Sequence, residues 1–295
     1  MKFAAIDIGS NAIRLLFTAV YTESKEPIFK KTALYRYPIR LGEDVFRDGK
    51  ISEEKYQALK LVLRGFKNLI DAYGVIAYRA CATSAMREAE NSREIIEKIA
   101  KKTGINIDII EGKEEARIIY SNQISDLLDD SVASLYVDVG GGSTEVTLFD
   151  KSKMVDSRSF NIGTVRILSG NIKDKEWSKM ETWITKLTAK TKPAYIIGSG
   201  GNINKLYKLA NEKKDRDLFV SKEQLLDLDK LLNSYSLSER ITELGLNPDR
   251  ADVILPANHI FLSILNWANC DMVYVPKIGL ADGIVKDLYW QSFKD

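Results

Sequence analysis

The sequence is poor in the side chains that most metal and nucleophile chemistry uses. Its 295 residues include two cysteines, Cys81 and Cys270, which are too few for a disulfide scaffold or a cysteine-rich zinc site. The single histidine, His259, excludes an HExxH protease and any metal centre that needs two imidazoles. A Ser-His-Asp triad would have to use that same histidine, which we instead expect to pack in the core or between helices.

Long apolar runs and net charge are also lacking. No stretch approaches the roughly 18–20 apolar residues of a membrane-spanning helix. The apolar run at the N-terminus is interrupted at Asp7, too early for the core of a signal peptide. We therefore expect a cytoplasmic protein with no membrane partner. The formal net charge of +2 gives no general argument for a nucleic-acid partner, and we expect none.

The near-zero net charge conceals an uneven distribution. Residues 151–220 contain 15 Lys/Arg and 7 Asp/Glu, a balance of +8, so the remainder sums to −6. Lysines that are solvated on helix surfaces explain this segment most simply. The alternative is a basic face that binds a polyanion.

Two segments of the chain resemble each other. AAIDIGSNAIRLLF at residues 4–17 and LYVDVGGGSTEVTLF at residues 135–149 align on Asp7 and Asp138. Each has an apolar run, an aspartate, an aliphatic residue, a glycine, a few small or polar residues and a second apolar run, which predicts a hairpin. The repetition indicates two similar lobes, and the alternating β and α patterns elsewhere predict an α/β fold.

Several helices are predicted by their periodicity and capping residues. Apolar residues recur with a 3.6-residue period in a helix that begins after Ser52. Ser221 and Gln224 form a capping box at the start of another helix. Asn247 and Pro248 suit the N-cap and first turn of a helix that we expect to run to about residue 269.

Three glycine-rich turns are candidates for binding phosphate through backbone N–H groups. They are Gly9-Ser10-Asn11, the run from Gly140 to Thr144 and the run from Gly198 to Asn202. Glycines let neighbouring N–H groups converge without a Cβ in the way. One such turn is most often an ordinary structural turn, but three together, two of them preceded by aspartate, favour phosphate. None has the Gly-Lys-Ser/Thr of a Walker A motif.

Acidic and basic residues near these turns suit phosphate chemistry. Oxygen ligands such as Asp7, Asp138 and Glu145 suit Mg²⁺ shared with phosphate oxygens, although the aspartates could also hydrogen-bond only their own turns. Glu114 and Glu115 lie at the start of a predicted helix, where a carboxylate can polarise a water, although the helix dipole also favours glutamate there. Arg87 can clamp a phosphate or be an ordinary surface arginine.

Eight motifs, in this order, resemble the exopolyphosphatase / guanosine pentaphosphate phosphohydrolase family. They are IDIGSNAIRLL, ATSAMREAEN, IIEGKEEARIIY, VDVGGGSTEV, IGTVRI, IIGSGGNI, RADVILPA and IGLADGI. The family belongs to the actin and sugar-kinase superfamily. The resemblance therefore implies two actin-like (ribonuclease H-like) α/β domains with a cleft between them, residues 1–124 plus 282–295 and residues 125–281. It implies a short form without the HD-type C-terminal domain of longer relatives.

The resemblance also implies an activity and a set of site residues. The family releases the terminal phosphate of inorganic polyphosphate, or the 5′-γ-phosphate of guanosine pentaphosphate, with Mg²⁺ and water. Glu115 matches the family's catalytic base, and Asp138 and Glu145 match its metal-binding and water-positioning acids. The positions that match its phosphate contacts are Gly9, Ser10, Asn11, Arg87, Gly140, Gly141, Gly142, Ser143, Gly200 and Gly201, with Arg166 in a secondary role.

Two other functions stay open at this stage. One is an ATP-dependent kinase of the same fold, which would need an adenosine pocket and an acceptor site. The other is a non-catalytic sensor that binds polyphosphate or an alarmone nucleotide. The resemblance allows a homodimer, but the sequence shows no exposed seam for one.

Overall fold

The computed structural model describes residues 1–119, 131–170, 172–211 and 218–292. The chain forms two compact units. Unit 1 comprises Met1–Ile124 and Gly279–Asp295, and unit 2 comprises Ser125–Ile278. Within the described ranges, no helix combines the length and the apolar character that crossing a membrane requires.

Strands and helices are interspersed along the chain, as in α/β proteins. The strands are β1 (Lys2–Ile8), β2 (Ile13–Tyr21), β3 (Ile28–Tyr37), β4 (Ala77–Ala82), β5 (Ile107–Ile109), β6 (Ser134–Val139), β7 (Thr144–Asp150), β8 (Lys153–Phe160), β9 (Tyr195–Ser199), β10 (Phe219–Ser221) and β11 (Met272–Tyr274). The helices are α1 (Leu41–Asp48), α2 (Glu53–Tyr73), α3 (Ser84–Glu88), α4 (Ser92–Thr103), α5 (Gly112–Ile119), α6 (Thr164–Leu168), α7 (Asp174–Thr188), α8 (Gly201–Ala210), α9 (Lys222–Ser234), α10 (Leu237–Thr242), α11 (Pro248–Ala251), α12 (Ile254–Ala268) and α13 (Leu280–Gln291).

Unit 1 is built on a five-stranded mixed sheet in the order β3-β2-β1-β4-β5. β2 pairs antiparallel with β1 and β3, and β4 pairs parallel with β1 and β5. β1 is buried along six of its seven residues because α13 returns to pack against it, with the ring of Tyr289 edge-on to that of Phe3. The last helix of the chain therefore completes the core of the first unit.

Helix α2 shows why the predicted periodicity produces a helix here. Its one buried stripe consists of Tyr56, Leu59, Leu63, Phe66 and Ile70. The Ser52 hydroxyl caps the helix by accepting from the Lys55 N–H, and Gly74, with φ of 60°, ends it in the left-handed conformation that glycine adopts most readily. The prediction of a helix that begins after Ser52 is confirmed.

Unit 2 is built on a six-stranded sheet in the order β10-β11-β9-β6-β7-β8. β6, β7 and β8 are antiparallel neighbours, whereas β9 pairs parallel with β6 and β11 pairs parallel with β9. The core of this unit packs around α12, nine of whose fifteen residues are buried. The capping box of Ser221 and Gln224 begins α9 as predicted.

The two units repeat one arrangement. In unit 1, β1, β2, β3 and α1 follow one another, and β4 then pairs parallel with β1; in unit 2, β6, β7, β8 and α6 follow one another, and β9 pairs parallel with β6. The duplicated hairpins predicted from the sequence are therefore present. They place two similar turns, between β1 and β2 and between β6 and β7, at the same position in each repeat.

One expectation is corrected, and one of the two alternatives for His259 is confirmed. The helix predicted from residue 248 to about 269 is two helices, α11 and α12, separated at Asp252 and Val253. Pro256 explains the break, because its ring clashes with the carbonyl four residues earlier and it donates no backbone hydrogen bond. His259 lies outside the core, on the exposed side of α12, but its ring lies 5.1 Å from that of Trp177 on α7, which confirms the expected packing between helices.

Candidate active site

The turn between β1 and β2 in unit 1 is held from behind by the start of α1. The N–H of Gly9 donates to the carbonyl of Ala12 (3.1 Å) and closes the turn. The carbonyls of Ser10 and Asn11 accept from the N–H groups of Gly42 and Arg40, at 2.8 and 3.0 Å. The turn carbonyls therefore point towards residues 40–42, which leaves the opposite side of the turn to its N–H groups.

The turn between β6 and β7 in unit 2 has the same construction. The N–H of Gly140 donates to the carbonyl of Ser143 (2.9 Å). The first residue of β7, Thr144, donates its hydroxyl to the carbonyl of Ile162 (2.6 Å). Residues 162–166, which connect β8 to α6, thus lie directly behind the turn, as residues 40–42 do in unit 1.

Each turn lies beside a pair of directly opposed charged residues. In unit 1, Asp7 opposes Arg14 across β1 and β2, and Arg14 Nη1 lies 2.6 Å from Asp7 Oδ2. In unit 2, Asp138 opposes Glu145 across β6 and β7. Directly opposed residues of antiparallel strands project from the same face of the sheet, with Cβ atoms about 5 Å apart. The first pair is therefore an ion pair, and the second places two carboxyl groups side by side.

Both carboxyl groups in unit 2 accept hydrogen bonds from serines. Glu145, which is 2% exposed, accepts from the Ser159 hydroxyl at 2.8 Å. Asp138 is half-buried and accepts from the Ser199 hydroxyl at 3.2 Å. The Tyr136 hydroxyl also donates to Oδ2 of Asp138, at 3.4 Å, so hydroxyl groups hold both carboxyl groups in place.

The third glycine turn meets the same carboxylate. Gly200 has φ of 105°, a backbone conformation that residues with a side chain rarely adopt. A Cβ at this position would lie 3.2 Å from Oδ1 of Asp138. Gly201 begins α8, and its carbonyl accepts from Arg250 Nη1 at 2.8 Å. Asp138 therefore has the Gly200 turn against its side chain and the Gly140 turn directly after it in the chain.

Two further predicted residues lie near the start of α5 in unit 1. Glu115 is in the first turn of the helix and is 8% exposed, and its N–H donates to the carbonyl of Glu111. Arg87 Nη1 donates to the carbonyl of Ile110 at 2.7 Å. Arg87 therefore binds the backbone just before α5, the helix that carries Glu115. Its neighbour Glu114 is instead more exposed and paired with Arg79 at 3.1 Å.

The structure brings the predicted residues together in groups within each unit. In unit 1, Asp7 lies beside the turn of Gly9, Ser10 and Asn11, and Arg87 contacts the β5–α5 junction. In unit 2 one end of the sheet gathers Asp138, Glu145, Gly140, Gly141, Gly142, Ser143, Gly200, Gly201 and Arg166.

Three contributors escaped prediction. Arg14 follows Asp7 at the same spacing at which Glu145 follows Asp138, so the hairpin register could have identified it as the partner of Asp7. Ser199 lies inside a predicted turn, but nothing in the sequence links it to Asp138. Gly163 lies 20 residues or more from the turn that it touches, and no local pattern marks that contact.

The lysines of residues 151–220 do not form one continuous group of free charges. Lys179 pairs with Glu176 at 2.7 Å on α7. Lys205 lies on α8, and burial, followed by the nearby charges of Lys208 and Arg250, lowers the pKa of its amino group. Lys213 and Lys214 fall outside the described residues. The basic balance of this segment is thus spread over several helices.

The residues of unit 2 fit a magnesium ion. No cluster of three or more His, Cys, Asp or Glu side chains suited to a metal occurs in the parts of the chain that the structure describes. Mg²⁺ does not need one, because proteins commonly hold it through one or two carboxylates together with substrate phosphates. Asp138 and Glu145 supply two such carboxylates beside a glycine turn, whereas Asp7 is already engaged by Arg14.

Known proteins share this organisation. The crystal structure of the Aquifex aeolicus member of the Ppx/GppA family matches with a TM-score of 0.78 and 25% identity, covering 100% of this chain and 99% of that one. An exopolyphosphatase from Cytophaga hutchinsonii matches with a TM-score of 0.85 at 23% identity, covering 99% and 97%, which shows the fold alone. The predicted class, two actin-like α/β domains, is confirmed.

Curated relatives match over almost the whole chain. A bifunctional 3-dehydroquinate synthase/phosphatase of Fusobacterium nucleatum is 30% identical over 92% of this chain and 44% of its own length. A guanosine-5′-triphosphate,3′-diphosphate pyrophosphatase of Aliivibrio fischeri is 26% identical over 96% of this chain and 58% of its own length. The chain thus spans about half the length of these relatives. A putative exopolyphosphatase of Haemophilus influenzae is 23% identical over 97% of this chain and 89% of its own length.

A family model matches as well. The model of the Ppx/GppA phosphatase family covers residues 24–291, and the motifs, the duplicated hairpins and the solved structures agree with it. The chain belongs to the Ppx/GppA phosphatase family.

Proposed function

We propose that this chain is a phosphoanhydride hydrolase that releases the terminal phosphate of inorganic polyphosphate or the 5′-γ-phosphate of guanosine pentaphosphate. The observation that carries the proposal is the arrangement of residues at one end of the unit 2 sheet. There, a glycine turn whose N–H groups face away from its braced side adjoins two carboxylates, Asp138 and Glu145. This arrangement suits a phosphate chain neutralised by a divalent cation, because carboxylates alone would repel a polyanion.

In this proposal the glycine turns bind and orient the phosphates. The N–H groups of Gly141, Gly142 and Ser143 donate to phosphate oxygens, and each such donor contributes on the order of 10²–10³ in rate when it meets charge that develops in the transition state. Asp138 and Glu145 hold Mg²⁺. When bound, Mg²⁺ neutralises the negative charge that builds on the transferred phosphoryl group.

Glu115 is the proposed general base. Its carboxylate accepts a proton from the attacking water and keeps it on an Oε atom while the terminal phosphoryl group is transferred. A well-placed base contributes roughly 10²–10⁴ in rate. Arg87 supports this role by binding the carbonyl of Ile110, which lies two residues before α5 begins.

The test compares two neighbouring glutamates. Glu115→Gln removes the base, and Glu114→Gln is the matched control on the same helix turn, at a residue paired with Arg79. We expect Glu115→Gln to lower kcat at least 10²-fold with little change in the affinity for inorganic tripolyphosphate, and Glu114→Gln to stay within a few-fold of the parent protein. An unchanged kcat in Glu115→Gln rules out the assignment.

The substrate is identified by a side-by-side comparison. The values of kcat/KM for long polyphosphate, short polyphosphate, guanosine pentaphosphate and ATP are measured with and without Mg²⁺. Release of phosphate from polyphosphate with no acceptor present supports the hydrolase and contradicts a kinase. Tight binding of every substrate with no turnover supports a sensor instead.

A further inference from the structure

We propose that Arg166 and Gly163 are positioning residues that hold the Gly140–Ser143 turn in the conformation in which its N–H groups bind phosphate. The inference rests on the proposed function, since it explains how the phosphate-binding side of that turn is created. It assigns Arg166 a different task from the direct phosphate contact expected from the family resemblance.

The first part of the brace is backbone. The carbonyl of Gly140 accepts from the N–H of Thr164 at 3.0 Å. The carbonyl of Gly141 accepts from the N–H groups of both Val165 and Arg166, at 2.8 and 3.1 Å. These donors are among the first N–H groups of α6, which have no partner within their own helix. The turn and the helix start therefore satisfy each other.

The second part is a side chain. The carbonyl of Gly142, the remaining glycine of the turn, accepts from Nε of Arg166 at 2.8 Å. Arg166 is only 8% exposed, although arginine is seldom buried without partners. Its guanidinium therefore lies against the carbonyl side of the turn.

These hydrogen bonds also fix the direction of the N–H groups in the turn. In a trans peptide the carbonyl of one residue and the N–H of the next point in opposite directions. Because the carbonyls of Gly140, Gly141 and Gly142 are held on the α6 side, the N–H groups of Gly141, Gly142 and Ser143 must face the other way. Within the described residues, none of these three N–H groups donates to an acceptor.

Gly163 permits the approach that makes the brace. A Cβ on this residue would lie 2.4 Å from the carbonyl carbon of Gly142 and 2.6 Å from that of Gly141. Both contacts are with backbone atoms, which cannot move aside by a change of rotamer as a flexible side chain can. Any larger residue at position 163 must therefore push the turn out of place or move the start of α6.

The first measurement is hydrogen exchange in the protein without substrate. Arg166→Met and Gly163→Ala are compared with two controls, Arg158→Met on the exposed face of β8 and Gly65→Ala, whose new Cβ meets nothing within 4 Å. We expect exchange of the amides at residues 164–166 to accelerate about tenfold or more in the two brace variants and to stay unchanged in the controls. Unchanged exchange in both brace variants overturns the inference.

The second measurement uses inorganic tripolyphosphate as the probe. We expect the brace variants to weaken its binding and to lower kcat together, each about tenfold or more, while thermal melting confirms that the protein remains folded. Arg166→Lys keeps the charge and loses Nε, so we expect it to behave like Arg166→Met. Near-normal binding in Arg166→Lys combined with lost binding in Arg166→Met indicates a direct charge contact and overturns the inference.

The outcomes separate the inference from the function on which it rests. A parent protein that neither binds nor hydrolyses tripolyphosphate contradicts the proposed function, while the exchange measurement still decides whether the brace exists. Accelerated exchange with unchanged binding and kcat shows that the brace has no part in phosphate binding and overturns the positioning role. If Gly163→Ala does not fold, the Arg166 variants decide alone.

Discussion

The turn after β1 and the turn after β6 have the same construction but opposite electrostatics. Each is closed by a hydrogen bond from its glycine N–H to the carbonyl three residues later, and each is braced by the start of the helix that follows the third strand. The residue opposite the aspartate differs. Asp7 faces Arg14, whereas Asp138 faces Glu145 at the same position of the repeat.

This difference means that the two repeats neutralise their aspartates in different ways. In unit 1 the aspartate is neutralised within the protein, by a guanidinium 2.6 Å away. In unit 2 the aspartate faces a second carboxylate instead, and like charges directly opposite each other on a sheet are destabilising. The metal requirement is therefore expected to reside in unit 2, and Asp7 has the weaker case as a metal ligand.

The largest expected effect comes from a substitution that reproduces the Asp7–Arg14 ion pair of unit 1 in unit 2. Glu145→Arg places a guanidinium opposite Asp138, as Arg14 lies opposite Asp7. We expect kcat to fall on the order of 10³-fold. We also expect the dependence of the melting temperature on Mg²⁺ to disappear, because the new guanidinium takes the place of the metal ion beside Asp138. Melting curves with Mg²⁺ and with EDTA check this. A melting temperature that still rises with Mg²⁺ contradicts it.

The converse change breaks the unit 1 pair. Arg14→Met leaves the buried Asp7 carboxylate without its ion-pair partner, and we expect a loss of about 2 kcal/mol in the free energy of unfolding. The value is below that of a fully buried pair because Arg14 is partly exposed. Urea denaturation measures it, with Arg64→Met on the exposed face of α2 as the control. Equal effects of the two variants would show that the pair contributes nothing specific.

A third comparison concerns the glycines at which the two helix starts approach their turns. A Cβ at Gly163 meets the backbone of Gly142, whereas a Cβ at Gly42 meets mainly the ring edge of Phe46. Overpacking costs roughly 1–3 kcal/mol, and we expect Gly163→Ala to lie near the upper end and Gly42→Ala near the lower end, since a ring edge shifts at less cost than the backbone of a braced turn. Denaturation of the two alanine variants tests this order. The reverse order refutes the assignment of the tighter brace to unit 2.

The smallest expected effect is the relief of carboxylate repulsion. Glu145→Gln removes one of the two opposed charges, and in EDTA we expect it to stabilise the protein by about 0.5 kcal/mol. With saturating Mg²⁺ the sign reverses, because the variant loses a metal ligand. Asp7→Asn, by contrast, loses an ion pair and is destabilised with or without Mg²⁺. Unfolding curves under both conditions decide, and a destabilised Glu145→Gln in EDTA would falsify the repulsion argument.

Local patterns predicted much of this fold. The hairpins around Asp7 and Asp138, the stripe of α2 and the capping box of α9 all depend on residues within a few positions of one another, so periodicity and turn chemistry suffice. The break between α11 and α12 was missed, although Pro256 marks it, because the apolar run continues through it. The burial of Glu115 beside the half-buried Glu114 could not be predicted, since both lie in the first turn of the same helix.

The sequence alone determined the α/β class, the internal duplication, the glycine turns and the carboxylates beside them, because each is a short-range pattern. The tertiary structure decided what those residues do to one another. It placed Gly163 and Arg166 behind a turn 20 or more residues away, and it brought Gly200 against Asp138 through strand pairing between β6 and β9. Contacts of this kind depend on how sheet and helices pack, which no run of neighbouring residues specifies.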